Sequence, residues 1–291
     1  MHTIVCIKQV LDTRGMIKVK DGRITQQEPE SVKVANPRDM AALEEAMRLK
    51  ARFGGEITAI SVGDEEVCNV LHQALARGAD RAIHIFHPAG DAFSVYSLIG
   101  HVVKDLPYDV ILCGDRSNNE GRGYVGPYLA HFLGIPHAMK VVGVELDPEK
   151  NRAVIIRQLE RGWREELECP LPALFGIERT SHERSYVSAF AREVALGKPI
   201  TRVDAESLGK EEPLKAALKV VEVTPPRPRT KKTFVPDANL PPEERFKLLL
   251  SGGAGPKKET DFVEGSPGEV ARAVVDFLKK EGLIDTGGQG S

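Results

Sequence analysis

Strand-like and helix-like segments alternate from the N-terminus to about residue 135. Short runs of apolar and β-branched residues indicate strands at 3–8, 56–62, 81–86 and 109–114. Between them, apolar residues three and four positions apart indicate helices over about 36–53, 65–78, 92–104 and 126–133. The run at 109–114 is almost continuously apolar, which is typical of a central strand buried on both faces. The alternation predicts an α/β fold, a Rossmann-like parallel sheet with helices on both faces.

The pattern changes after about residue 140. Three segments that resemble antiparallel strands predict a small antiparallel insertion over about 140–178, which caps the parallel sheet, and 174–177 predicts a further core strand. After Thr180 the periodicity is lost. Thr224–Arg229 is rich in proline and predicts an extended arm, followed by helices at about 242–250 and 268–281 and a disordered tail from Thr286. We therefore expect an α/β domain over 1–222 and, over 223–291, an extended C-terminal arm with helices that contacts a partner subunit.

Composition and charge exclude several classes of protein. The 291 residues carry a formal net charge of -2 with no concentrated basic run, so no nucleic-acid partner is expected. No apolar stretch approaches the roughly 20 residues of a membrane span, and no signal peptide is evident, so we expect a cytoplasmic protein without membrane insertion. Cys6, Cys68, Cys113 and Cys169 are far apart and show no Cys-x-x-Cys spacing, which indicates reduced, buried thiols rather than a zinc site or a disulfide framework.

Glycine and short polar residues fill the loop that follows the 109–114 strand and leads into a helix. Backbone N–H groups at such a helix start can hold a phosphate. The candidate residues are Gly114, Asp115, Arg116, Ser117, Asn118, Asn119, Glu120, Gly121, Arg122, Gly123, Tyr124, Val125 and Gly126. The last six match G-x-G-x-x-G, but on the fourth strand–helix connection, whereas the dinucleotide fingerprint belongs on the first. A flexible loop without a ligand remains an alternative; we favour a nucleotide-phosphate loop of another type.

Three further segments lie at the same predicted sheet edge, where ligands bind in open parallel sheets. They are Cys6–Lys8, the helix start Asn36, Pro37, Arg38 and Asp39, and the strand end Ser61–Gly63, which includes Val62. Taken alone, Asn36 is equally well explained as a helix N-cap and Val62 as a strand end. Their convergence with the glycine-rich loop predicts a site for an adenine and a ribose.

Motifs for enzymatic chemistry are missing from the sequence. There is no G-x-S-x-G elbow, no G-x-x-x-x-G-K-[ST] loop and no H-E-x-x-H helix, so no catalytic residue or metal ligand is assigned. The histidines His84, His101 and His131 fall on strand or helix faces where packing is expected. Asp115 has no evident carboxylate partner. Trp163, in a predicted hairpin, either packs the turn or belongs to a partner surface.

Several motifs in order resemble the β subunit of electron transfer flavoproteins. They are Ile7-Lys8-Gln9-Val10-Leu11-Asp12, Asn36-Pro37-Arg38-Asp39 with the helix that follows, Ala74–Arg81, Val125-Gly126-Pro127, Leu133–Pro136 and Leu171-Pro172-Ala173. The resemblance covers about residues 1–180 well and the remainder weakly.

The resemblance implies a heterodimer with an electron transfer flavoprotein α subunit that carries most of the FAD site. Electrons would pass from a dehydrogenase to a downstream acceptor, and the chain would be an electron carrier rather than an enzyme by itself, with oxidoreductase activity only in a complex. The β subunits of that family typically bury an AMP. By position, its contacts would be Cys6, Asn36–Asp39, Val62 and the Gly114–Val125 loop, while Thr13 would lie close to the flavin ring.

The sequence departs from the family pattern in two places. The loop lacks the family's Asp-x-Thr, which leaves AMP or a second FAD as its occupant, and Arg122 offers a charge-assisted phosphate contact instead. In the segment that docks acyl-CoA dehydrogenases in the family, only Tyr186 is kept, so the donor need not be an ordinary acyl-CoA dehydrogenase. The alternatives are therefore a flavin-bifurcating subunit with a second FAD and NADH, and, from another class, a stand-alone adenine-nucleotide sensor module.

Overall fold

Strands and helices alternate along the first part of the chain, as the sequence predicts. A computed structural model describes residues 1–12, 32–87, 91–179, 185–208, 221, 236–237, 240–250 and 263–284, together with the backbone of 19–20 and 23–24. The strands are β1 (His2–Cys6), β2 (Gln9–Leu11), β3 (Val19–Lys20), β4 (Arg23–Ile24), β5 (Lys33–Ala35), β6 (Glu56–Gly63), β7 (Arg81–Phe86), β8 (Val110–Gly114), β9 (His137–Asp147), β10 (Arg152–Gln158), β11 (Arg164–Pro170), β12 (Ala173–Ile177) and β13 (Thr201–Asp204). The α-helices are α1 (Pro37–Phe53), α2 (Cys68–Arg77), α3 (Ala92–Val103), α4 (Val125–Leu133), α5 (Ala189–Leu196), α6 (Pro242–Leu250) and α7 (Pro267–Lys280).

Nine strands form one sheet in the order β11-β10-β9-β12-β8-β1-β6-β7-β13. Every neighbouring pair from β9 to β13 is parallel, while β10 is antiparallel to both of its neighbours. Two short antiparallel pairs, β2 with β5 and β3 with β4, lie outside this sheet. The α/β, Rossmann-like fold class is therefore confirmed.

Two apolar cores cover the two faces of the sheet. Along β1, Val5 belongs to the core that contains α1 and α2, whereas Ile4 and Cys6 belong to the core that contains α3 and α4. Successive side chains of a strand point to opposite faces, so a central strand must be apolar at every position to fill both cores. The nearly continuous apolar run of β8 meets the same requirement, with Leu112 on one face and Ile111 on the other.

Two expectations for the second half of the chain are wrong. The strands of the predicted insertion do not cap the sheet: β9, β10 and β11 extend it at one edge, because β9 pairs with β12. The chain after Thr180 does contain regular secondary structure. Helix α5 packs near α2, and β13 pairs with β7 as the strand at the opposite edge of the sheet. The eight-residue α5 and four-residue β13 are too short for a periodicity signal. Ser188 marks the start of α5, where its side chain accepts a hydrogen bond from the Ala191 N–H.

The chain divides into two compact units, Met1–Pro225 and Pro226–Ser291. In the second unit the structure describes α6 and α7, neither of which has a buried residue, and Glu269 accepts a hydrogen bond from the Ser266 N–H at the start of α7. The proline-rich segment Thr224–Arg229 and the tail from Thr286 lie outside the described residues, and the role of this unit as a partner-binding arm stays a prediction. Among the described helices, none combines the length and the apolar character that crossing a membrane requires.

Candidate functional site

The candidate site lies where the connections of two adjacent strands diverge. The chain leaving β1 passes through α1 to β6 on one side, and the chain leaving β8 passes through α4 to β9 on the other. The two helices also lie on opposite faces of the sheet, because α1 packs into one core and α4 into the other. In open α/β sheets such a switch point leaves a crevice at the carboxyl ends of the strands, where ligands bind.

Asp39 joins the two strand ends to the first turn of α1. Its Oδ2 accepts a hydrogen bond from the Lys8 N–H at 2.7 Å, and its Oδ1 accepts one from the Gly114 N–H at 2.8 Å. The carboxyl is buried, which raises its pKa to about 6, although hydrogen bonds from Lys8, Asn36 and Gly114 oppose the rise. Both oxygens are thus used within the protein, and Asp39 holds the site together.

Asn36 fixes the glycine-rich loop against α1. It stands at the N-cap position before Pro37, as predicted, but its side chain makes no capping bond. Instead its amide donates to the Arg116 carbonyl at 3.1 Å, and its carbonyl oxygen accepts from the Asn118 N–H at 3.1 Å. The side chain is buried, so the loss of these two bonds would leave polar groups without partners.

The loop approaches α4 in a conformation that requires glycine. Gly121 and Gly123 have φ of 68° and 66°, in the left-handed region, and a Cβ on Gly123 would lie 2.9 Å from the Asp115 carbonyl oxygen. The α4 helix then begins at Val125 without a side-chain cap. The first N–H groups of a helix have no partner within it and carry partial positive charge, so this start favours an anion.

Arginine and lysine side chains surround the loop and are held by ion pairs. Arg38 donates to Glu178 and to the Asn118 side chain, both at 3.0 Å, and Lys8 lies 3.3 Å from Glu120. The Arg38 Nε and the Ser61 hydroxyl are buried and have no hydrogen-bond partner among the described residues. Unpaired buried polar groups are costly, so these atoms fit a polar ligand at the strand ends.

Asp115 has a carboxylate partner, contrary to the prediction. Its side chain is hydrogen-bonded to Glu178. Burial is the larger cause, and this hydrogen bond the next, of a raised pKa of Asp115. Burial would also raise the pKa of Glu178, but hydrogen bonds from Arg38 and Asp115 outweigh it and lower that pKa. Of the two carboxyls Asp115 is therefore the more readily protonated, and its Oδ1 also accepts a hydrogen bond from the Lys140 N–H at 2.9 Å. The pair ties the loop to β9 and to the end of β12, far from Asp115 in sequence.

A groove of about 190 Å³ opens beside these strand ends. It contains Asn119 and the strand-end residues Val62 and Gly63, all predicted, together with residues that the sequence did not single out for the site: Gln9, Val10, Leu11, Lys33, Asp64 and Val67. The sequence pattern did not point to these residues, because their position depends on the pairing of β2 with β5, which turns the chain after β1 towards β6. A larger cavity of about 470 Å³ lies over β9 and β10, but its Arg48 is already bonded to Glu45, Glu145 and the Val144 carbonyl.

Two predicted residues are used for packing. Cys6 is buried beside Cys113. Its burial, and to a smaller extent the charge of Asp39, raises the pKa of the Cys6 thiol to about 12, so the thiol stays protonated. Gly126 lies inside α4, where a Cβ would be 3.1 Å from the Cys113 Sγ. The structure brings the other predicted segments to one edge, except Thr13, which lies outside the described residues.

The chain is similar to several known proteins. The model of the electron transfer flavoprotein domain family matches residues 27–208. The electron transfer flavoprotein subunit beta of Bacillus subtilis is 30% identical over 98% of this chain and 100% of its own length. Protein FixA of Bradyrhizobium diazoefficiens is 31% identical over 90% of this chain and 95% of its own, and the acryloyl-CoA reductase electron transfer subunit gamma of Anaerotignum propionicum is 28% identical over 91% and 97%. The chain therefore belongs to the electron transfer flavoprotein β-subunit family.

Proposed function

We propose that this chain is the β subunit of a heterodimeric electron transfer flavoprotein and that it binds AMP structurally at the β1–β8 switch point. The observation that carries the proposal is the uncapped start of α4, reached through a loop that Asn36 and Asp39 brace against both strand ends. A braced loop and a free helix start form a preorganised phosphate site.

The residues around the site suit the parts of AMP. The phosphate would accept hydrogen bonds from N–H groups of Arg122–Val125, with the half-exposed Arg122 side chain as a cation nearby. The base and ribose would lie towards the groove at Val62 and Asn119. AMP has no redox chemistry to contribute, so it would act as a folding ligand that stabilises the native state by mass action.

The electron-carrying role requires an α subunit that holds FAD. FAD supplies the electron-accepting flavin of the complex; this chain would supply part of its surroundings, with Thr13 as the residue proposed to lie near the ring. Relatives named as beta and gamma subunits support a multi-chain assembly. Exposed apolar side chains support it too, among them Trp163, Tyr186 and Phe190, which are 73%, 90% and 77% exposed.

The dehydrogenase that donates electrons is proposed to meet the segment around α5. Tyr186 and Phe190 lie there, and Leu196 at the end of the helix is also exposed. The family's docking segment is kept only at Tyr186, so we propose a donor other than an ordinary acyl-CoA dehydrogenase.

The test is to co-express the chain with a candidate α subunit, purify the complex, denature it and quantify FAD and AMP per heterodimer. One FAD and one AMP are expected. Two FAD and no AMP would overturn the AMP assignment in favour of a bifurcating subunit, and a nucleotide-bound chain that forms no complex would favour a sensor module.

A matched pair of glycine variants locates the nucleotide. Gly123→Ala should lose AMP, because its Cβ would meet the Asp115 carbonyl and the backbone could not approach a phosphate. Gly134→Ala is the control: Gly134 has nearly the same φ, 68°, yet no described atom lies within 4 Å of the position of a Cβ. Equal AMP content in both variants would contradict the loop assignment.

A further inference from the structure

Three side chains that ligate metals meet at the turn between β6 and α2. Glu65 lies in the short 3-10 helix Glu65–Val67, Cys68 begins α2, and His84 lies on β7. A carboxylate oxygen, the thiol sulfur and an imidazole nitrogen all lie within 4.8 Å of one another. Cys68 follows Glu65 by three positions, so one helical turn places both on the same side. This group is separate from the residues proposed for the phosphate.

The ring of His84 is oriented as a metal-binding histidine is. It is 1% exposed, and its Nε2 lies 3.1 Å from the Gly63 carbonyl oxygen, which can only accept a hydrogen bond. Nε2 therefore carries the proton, and the lone pair of Nδ1 faces the Cys68 Sγ. A backbone carbonyl that fixes the second ring nitrogen is the usual outer-shell partner of a ligating histidine.

The spacing of sulfur and nitrogen fits tetrahedral zinc. Zinc binds cysteine sulfur at about 2.3 Å and histidine nitrogen at about 2.0 Å, so a tetrahedral angle places the two ligand atoms about 3.5 Å apart. Cys68 Sγ and His84 Nδ1 are 3.5 Å apart. Glu65 is exposed and paired with Arg202, so its carboxylate can turn to the metal from the solvent side and leaves a path for entry.

We propose that Glu65, Cys68 and His84 bind a zinc ion, with a water molecule as the fourth ligand. On binding, the Cys68 S–H bond breaks, the Sγ–zinc bond forms and the proton leaves to solvent, while Glu65 binds as the carboxylate and His84 as the neutral ring. The ion would link the start of α2 to β7 and fix the Gly63 carbonyl, next to Val62 in the groove. This site goes beyond the proposed electron-carrier function and does not depend on it.

The experiment uses the full chain, purified without a histidine tag, stripped with a chelator and titrated with Co²⁺ as a spectroscopic substitute for zinc. We expect one Co²⁺ per chain, a thiolate-to-cobalt charge-transfer band, visible bands of tetrahedral Co²⁺ and displacement of both by Zn²⁺. Cys68→Ala, which removes the half-buried thiol of the site, should abolish the charge-transfer band, whereas Cys169→Ala, which removes a buried thiol elsewhere in the chain, should retain it. No charge-transfer band in the native chain, or a band that survives Cys68→Ala, would overturn the proposal.

Two exposed substitutions keep the test informative if Cys68→Ala does not fold. Glu65→Gln should weaken Co²⁺ binding at least about tenfold, because a charged ligand is lost. Arg202→Gln should strengthen it roughly two- to fivefold, because it frees Glu65 from an exposed ion pair and removes a nearby cation. Unchanged affinity in Glu65→Gln would exclude Glu65 as a ligand and overturn the three-residue site.

Discussion

The two hydrogen bonds from the Asn36 side chain to the glycine-rich loop give the most direct test of how the loop is held. Asn36→Ala removes the donor to the Arg116 carbonyl and the acceptor of the Asn118 N–H, both at 3.1 Å and both from a side chain that is 1% exposed. Hydrogen bonds of this kind contribute about 0.5–1.5 kcal/mol each, so about 1–3 kcal/mol is at stake.

That energy should appear mainly in nucleotide affinity, because the bonds hold the loop in the conformation that we propose binds the phosphate. At about 1.4 kcal/mol per factor of ten, AMP should bind roughly fivefold to a hundredfold more weakly. The measurement is calorimetric titration of AMP into the stripped complex, with the melting temperature recorded in parallel.

Two further variants separate the contributions. Asn69→Ala removes an exposed asparagine of α2 and should leave the AMP affinity unchanged. Asn36→Asp keeps an acceptor for Asn118 but sets a carboxylate oxygen against the Arg116 carbonyl, so it should also bind weakly. A folded Asn36→Ala complex with native AMP affinity would refute the idea that Asn36 positions a nucleotide loop.

Three other predictions concern Asp39, Gly114 and the C-terminal arm. The pKa of the Asp39 carboxyl is about 6 in the folded protein, against an ordinary value of 3.8, so its ionisation lowers the stability of the fold as the pH rises between these values. In urea unfolding, the free energy of unfolding of the wild type, relative to that of Asp39→Asn, should therefore fall by up to about 3 kcal/mol between pH 4 and 7. A difference that stays constant with pH would contradict the raised pKa. Gly114→Ala should lower the free energy of unfolding by about 1–3 kcal/mol, because its Cβ would lie 2.4 Å from the Asp39 Oδ1. Gly143→Ala is the control: the atom nearest to its Cβ would be 3.7 Å away, so the free energy of unfolding should fall less than in Gly114→Ala in the same assay. Truncation after residue 222 should prevent co-purification with the α subunit while the circular dichroism of the sheet domain is retained; normal heterodimer formation would rule out the C-terminal arm as an assembly element.

The candidate site was predictable where single segments carry a local signal. Gly121 and Gly123 predict a loop with unusual backbone angles, because glycine frees the backbone. Pro37 predicts a helix start, because proline restricts the backbone. The partners of Asn36 and Asp115 were not predictable. Asn36 binds a loop about 80 positions away, and Asp115 is hydrogen-bonded to Glu178 at the end of β12, so both depend on which strands become neighbours.

The sequence by itself determined the α/β class, the succession of the main strands and helices along the chain, and the edge of the sheet at which the segments of the candidate site would meet. It could do so because strand and helix periodicities are local, and because parallel strands place their carboxyl ends on one side. Only the tertiary structure decided that β9–β11 extend the sheet, that β13 closes its other edge, and that Cys68 meets His84. Those outcomes depend on pairing between segments distant in sequence, which no local pattern of hydrophobic and polar residues encodes.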